Sequence, residues 1–108
     1  MKNFKPYFAV IFTSTQTENT KGYAEMADKM ETLAEQQKGF IGIDSAKNDV
    51  GITVSYWESL DAIKNWKANT EHLFAQQKGR EQWYNWYNVR ICKVGREYQF
   101  LRKQESQN

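Results

Sequence analysis

The side chains with most chemistry to offer fall in one stretch, Asn65 to Arg90, NWKANTEHLFAQQKGREQWYNWYNVR. It holds the chain's one histidine, His72, and three of its four tryptophans, Trp66, Trp83 and Trp86, with Phe74, Tyr84 and Tyr87 among them. A neutral imidazole can ligate haem iron or take a proton near neutral pH. Arg80 and Trp83, with the neighbouring aromatics, could stack on a planar ligand. Asn65 to Gln77 therefore reads as a candidate cleft wall carrying Trp66, His72 and Phe74. Each residue also has a plainer reading. Trp66 continues a Leu60/Ile63 helical stripe into the core. His72 is a partly exposed helical histidine. Trp83 onward is the entry to a last strand and an interface.

Other chemistries lack their residues. No His, Cys and carboxylate set has metal-ligand spacing, so no metal is expected. KGYAEM and QKGFIG match neither the phosphate-binding loop nor the dinucleotide fingerprint. No nucleophile elbow is present, and no acid evidently orients the lone histidine. Asp44 and Asp49 flank an expected hairpin, where Asp is usually turn chemistry. Cys92 sits in an alternating strand pattern and reads as a small buried hydrophobe. A single cysteine cannot form an internal disulfide, which points to a reducing, cytoplasmic setting.

The bulk numbers narrow the class. A chain of 108 residues fits one domain, with the core from about residue 6 to 100 and a polar end, 101–108, that frays. Fifteen basic against 13 acidic residues leave a net charge of +2, with acids and bases interleaved. That balance gives no basic stripe for nucleic acid. The apolar run Tyr7 to Phe12 is too short to span a membrane and lacks the flanks of a signal peptide. Aromatic residues make up 15% of the chain and need a thick core, a cavity or a partner to cover them.

Those side chains must be positioned by a short series of elements. Lys5 to Ser14 is aromatic and β-branched, as a strand requires, with Pro6 at its start. Tyr23, Met26, Ala27, Met30, Leu33 and Ala34 form one apolar helical face, ended by Gly39. GFIGIDSAK and GITVSYWES read as strands joined by a hairpin at Asn48 to Gly51. Ser59 caps a second helix, which Asn69-Thr70 interrupts before a further segment through Gln77. A long strand runs from about Asn85 to Phe100. The order β-α-β-β-α-β defines an α+β, ferredoxin-like domain, an antiparallel sheet with both helices on one face. The first strand is apolar on both faces, Phe8, Val10 and Phe12 against Tyr7, Ala9 and Ile11. The face away from the helices therefore needs cover, most simply a second copy of the sheet in a homodimer.

AVIF, GFIGID, ITVSYWESLDAIKNWK and EHLFAQQKGREQWYNWYNVRICKVGREYQF, in that order, resemble the antibiotic biosynthesis monooxygenase superfamily of dimeric α+β barrels. The most specific part is SYWES…AIKNW…EH…AQ…GR, which is similar to a branch of mostly uncharacterised bacterial proteins. The resemblance implies a small-molecule site between sheet and helices, in a cofactor-independent monooxygenase acting on an aromatic or quinone-like compound. The resemblance implies Trp66 as a cleft residue; read from the residues themselves, His72 is the candidate catalytic group, and Phe74, Arg80 and Trp83 are candidate substrate contacts beside Trp66. A non-catalytic ligand-binding dimer on the same scaffold is the alternative. Haem binding or degradation is a third reading. The haem-degrading pattern places its histidine about three helical turns beyond the tryptophan, and an asparagine in the first strand. Here His72 is six residues beyond Trp66, the position ten residues on is Gln76, and YFAVIFTS has no asparagine.

Overall fold

A computed structural model describes residues 4–77 and 82–103; the side chains of 72–77 are outside this description. Six elements follow in order: β1 (Tyr7–Gln16), α1 (Tyr23–Glu35), β2 (Phe40–Lys47), β3 (Gly51–Trp57), α2 (Leu60–Gln77) and β4 (Tyr84–Val94). The strands form one antiparallel sheet in the order β2-β3-β1-β4. This is the ferredoxin-like arrangement expected from the pattern of the sequence.

Side-chain alternation sorts each strand into two faces. On one face Phe8 pairs with Trp57 and Val10 with Ser55; across the other edge of β1, Val10 pairs with Ile91 and Phe12 with Val89. Both helices cover this face. Ala34 of α1 and Ala62 and Ile63 of α2 form one buried cluster with Trp57, and Phe8, Val10, Phe40 and Trp66 pack against it. Trp57 is fully buried, and its indole N–H donates to the Ser55 hydroxyl at 2.8 Å. That bond satisfies the one polar atom the ring carries into the core.

Among the described residues the opposite face has no helix. Tyr7, Ala9 and Ile11 lie there with Tyr56 and Val54 of β3 and Val94, Cys92 and Arg90 of β4. Ile52 and Trp86 are among its exposed large apolar side chains. Cys92 is exposed on this face, contrary to the expectation of burial. Alternation gave its face correctly, but β4 lies at the sheet edge and both helices are on the other side.

Local chemistry sets the element ends. The Ser59 hydroxyl accepts from the Ala62 N–H at 3.1 Å, an N-cap for α2. The expected interruption at Asn69-Thr70 is absent, because both side chains bond back to their own helix. Thr70 Oγ1 donates to the Lys67 carbonyl and Asn69 Nδ2 to the Asn65 carbonyl. α1 ends at Glu35, before Gly39. Gly39 instead takes φ +89° in the turn into β2, where an added Cβ would stand 2.7 Å from Ala62 Cβ. Only glycine lets α2 come this close to the β2 entry. β4 ends at Val94, not at Phe100, because its partner runs out: Val94 pairs with Tyr7, the first residue of β1, and Pro6 before it has no N–H.

Candidate functional site

The helix-covered face carries two aromatic groups, separated along β1. At the Phe8 end, Trp66 of α2 stacks on Trp57, with ring centroids 5.7 Å apart and planes 27° from parallel. Phe40 meets the edge of Trp57 at 5.4 Å. Trp66 keeps part of its surface exposed while packing on the buried cluster. It is both a core residue and a wall residue.

At the Gln16 end, Phe12 stacks on Tyr87 at 5.3 Å and meets Tyr84 edge-on at 5.5 Å. Tyr23 at the start of α1 adds edge contacts to Tyr84 and Trp83. Trp83 is buried, and its indole N–H donates to the Lys21 carbonyl at 2.8 Å, tying the approach to β4 to the loop before α1. Trp57 pairs with Phe8 whereas Tyr84 pairs with Gln16, so these two rings stand roughly 25 Å apart along the strand, and Phe12, the nearest member of the second group, is roughly 13 Å from Phe8. Trp66 and Trp83 therefore do not share one aromatic group. His72 and Phe74 lie on α2, six and eight residues beyond Trp66, and their side chains are outside the described residues. Arg80 is outside them as well.

Between the two groups the sheet is apolar and partly uncovered. Val89 and Ile91 of β4 are 49% and 51% exposed on the helix-side face, next to Phe12 and Val10. Aliphatic side chains at half exposure, followed along β4 by Tyr87 on the same face, make a flat apolar floor of the kind small-molecule clefts use. Beside the tyrosine group, Ser14, Gln16, Tyr23, Lys47, Asn48, Asp49 and Gly51 line a polar recess of about 190 Å³. Gln16 Nε2 is buried there without a hydrogen-bond partner, and Lys47 Nζ sits 5.1 Å over the Tyr23 ring.

The electrostatics favour a neutral Tyr84 phenol. Burial first, and then the neighbouring Tyr23 and Tyr87, push the Tyr84 hydroxyl far above the ordinary tyrosine range. Tyr84 is thus a hydrogen-bonding group at neutral pH and no base. Among the described residues no three His, Cys, Asp or Glu side chains gather to hold a metal ion. Sequence reasoning missed Phe12, Tyr23 and Gln16 as neighbours of the Tyr84/Tyr87 pair. For Phe12 and Gln16 the available signal was register: the β1–β4 ladder sets Gln16 opposite Tyr84 and puts Phe12, paired with Val89, on the same face as Tyr87. Tyr23 comes from the start of α1 and has no such signal.

The chain belongs to the antibiotic biosynthesis monooxygenase family, whose model matches residues 6–78. It is 50% identical over 97 residues to YqjZ of Bacillus subtilis strain 168, a protein described as uncharacterized, covering 88% of this chain and 85% of that one. Its fold is similar to that of SnoaB, a cofactor-independent oxygenase from Streptomyces nogalater, in a mutant form. The TM-score is 0.69 at 10% identity, over 84% of this chain and 95% of that one. PA3566 from Pseudomonas aeruginosa is similar with a TM-score of 0.65 at 17% identity, over 87% and 97% of the two chains.

Proposed function

We propose that this protein is a cofactor-independent monooxygenase acting on an aromatic or quinone-like small molecule in the cleft between the helices and the sheet. The observation that carries the reading is the half-exposed apolar floor of Val89 and Ile91 on the same sheet face as Trp57, in a chain of this family. SnoaB, described as a cofactor-independent oxygenase and similar in fold, supports the reaction class. In such chemistry the substrate supplies the electrons. A deprotonated enol or phenol gives electrons to dioxygen, one oxygen atom stays on the substrate as a carbonyl, and the other leaves as water. The protein's part is to shape the cleft, exclude water and hold the substrate anion. His72 is the proposed proton acceptor, with Trp66, Phe74, Arg80 and Trp83 the proposed substrate contacts.

The working form in this reading is a cytoplasmic homodimer whose helix-free sheet faces pack together into a barrel. Support comes from the exposed Ile52 and Trp86 on that face and from the single cysteine. Among the described residues no helix is long and apolar enough to cross a membrane. Oxygen uptake with anthrone- and quinol-type compounds tests the reaction. Turnover that falls in His72→Ala supports the assignment. Tight binding with no uptake for any of them sinks it in favour of a non-catalytic binding domain. A haem titration with a Soret shift that His72→Ala abolishes would move the reading to haem.

A further inference from the structure

One row of the sheet has a gap in it. On the helix-side face the ladders align Lys47 of β2, Gly51 of β3, Ser14 of β1 and Tyr87 of β4 across the strands. Only Gly51 in that row has no side chain. The backbone does not require a glycine there: Gly51 opens a strand and does not share the positive φ of Gly22 and Gly39. A Cβ built on it would stand 3.6 Å from Ser14 Oγ and 3.8 Å from Lys47 Cγ, which is ordinary contact on both sides. The missing side chain therefore helps to open the recess of about 190 Å³ between the end of β1, the start of α1 and the β2–β3 hairpin. That space is several times the ~30 Å³ share of one water.

Two nitrogen donors belong to the residues that line this gap. Gln16 Nε2 is buried with no hydrogen-bond partner. An unpaired buried amide costs free energy that an acceptor in the recess would recover. Lys47 Nζ sits 5.1 Å over the Tyr23 ring. That contact is electrostatic and leaves the ammonium N–H groups open to an acceptor. Ser14, only 5% exposed, brings a hydroxyl to the same wall. The Tyr23 ring adds a flat apolar surface. Asp49 stands on the hairpin wall and opposes a second negative charge.

We propose that this recess binds a small organic monocarboxylate, one oxygen accepting from the Gln16 amide and the other from the Lys47 ammonium, with the carbon chain against the Tyr23 ring. A carboxylate offers two acceptor oxygens at a single charge, which suits one ammonium and one amide. A phosphate dianion would bring its extra charge toward Asp49. The site is separate from the apolar floor of Val89 and Ile91. Lys47 and Gly51 lie on the β3 side of β1, whereas the floor lies on β4. It does not depend on the oxygenase reading.

The test follows the full chain by ¹H–¹⁵N correlation NMR while sodium propionate is titrated in, with sodium chloride at equal ionic strength as the control. Expected is a saturable shift of the Gln16 side-chain amide and of the Asn48–Gly51 backbone with propionate, and none with chloride. Three variants locate the site. Gln16→Glu replaces the amide donor by a like charge, Lys47→Met removes the ammonium, and Gly51→Val fills the gap while every donor stays. Each should weaken propionate at least tenfold, with unchanged resonances on β4 and thermal unfolding showing that the fold is intact. No saturable shift up to tens of millimolar overturns the proposal and leaves a recess that holds water alone. Parent affinity in either Lys47→Met or Gly51→Val overturns it by placing the binding elsewhere. Inorganic phosphate that binds more tightly than propionate overturns the carboxylate class.

Discussion

Trp57 and Trp66 stack with their ring centroids 5.7 Å apart and their planes 27° from parallel, so the residue best placed to line the cleft also completes the core. Stability and binding can be separated at this pair. Trp57 is fully buried, and Trp57→Ala should cost about 3–5 kcal/mol in chemical denaturation. Trp66 is half-buried, so Trp66→Ala should cost less, about 2 kcal/mol. Trp66→Phe keeps the stack and should stay within about 1 kcal/mol of the parent. If Trp66→Ala proves as costly as Trp57→Ala, Trp66 is a core residue alone and its wall role fails.

Gly39 offers a second test, of how α2 is seated on the sheet. Its φ of +89° disfavours any L side chain, and an added Cβ would lie 2.7 Å from Ala62 Cβ. Gly39→Ala should therefore destabilise by about 2–3 kcal/mol, combining backbone strain with overpacking. In an Ala62→Gly background the packing part disappears and only the conformational part remains. Thermal unfolding of the four chains of this cycle measures the difference. Equal penalties in both backgrounds would show that the close approach to Ala62 carries no energy.

The sequence carried the architecture because hydrophobic period is a local signal. Tyr23, Met26, Leu33 and Ala34 mark α1, and the alternation in β1, β3 and β4 marks both faces of the sheet. Errors arose where a nonlocal fact decides. Cys92 has the alternation of a buried residue, yet its exposure depends on which face the helices take. Asn69-Thr70 looks like a helix break, yet both side chains find carbonyls of their own helix. The strand signal to Phe100 is real in the residues, but pairing ends at Val94 because Tyr7 is where β1 begins. At the candidate site the same limit applies. Trp66 could be named from helical spacing, whereas the Phe12–Tyr84–Tyr87–Tyr23 group is joined only by register and by the packing of α1.

Alkaline pH should weaken the fold through Tyr84. Burial and the Tyr23 and Tyr87 neighbours raise its pKa in the folded chain, so the native state holds this proton more tightly than the unfolded one. Its contribution is fully present below about pH 10, the ordinary tyrosine pKa, and is lost progressively as pH rises above it. Tyr84→Phe should flatten the decline of stability above pH 10 while changing little at pH 7. Tyr7 behaves differently: its hydrogen bond to Glu97 comes first among the causes that push its pKa up to about 12. In absorbance titration near 295 nm, Glu97→Gln should bring one tyrosine back toward 10. A stability curve of Tyr84→Phe parallel to the parent's above pH 10 would rule Tyr84 out as the source.

The helix-free face makes its own prediction. Ile52 and Trp86 are 43% and 49% exposed there. A charge at either should leave the monomer fold intact and oppose a face-to-face partner, since an unpaired carboxylate would be buried on association. Ile52→Asp and Trp86→Asp are each expected to weaken the dimer by about tenfold or more, equivalent to at least 1.4 kcal/mol. Sedimentation over a concentration series reads the change, with thermal unfolding as the control. Full dimer affinity in both variants would place the interface elsewhere.

The cleft itself can be blocked without disturbing the core. Ile91 is 51% exposed on the helix-side face and pairs with Val10 across the ladder. An indole at this position gains room from the uncovered floor, so Ile91→Trp should shift thermal stability by less than about 1 kcal/mol. It fills the space in which a planar substrate would lie between the Trp66 wall and the tyrosine group. Oxygen uptake with any compound turned over by the parent should fall at least tenfold, mainly through KM, because binding is obstructed before chemistry begins. Cys92→Trp, one residue on and on the opposite face, is the matched control and should leave KM unchanged if the dimer persists. Should Ile91→Trp turn over substrate with the parent's KM, the floor of β4 is not where the substrate binds, and the site must be sought in the polar recess around Gln16.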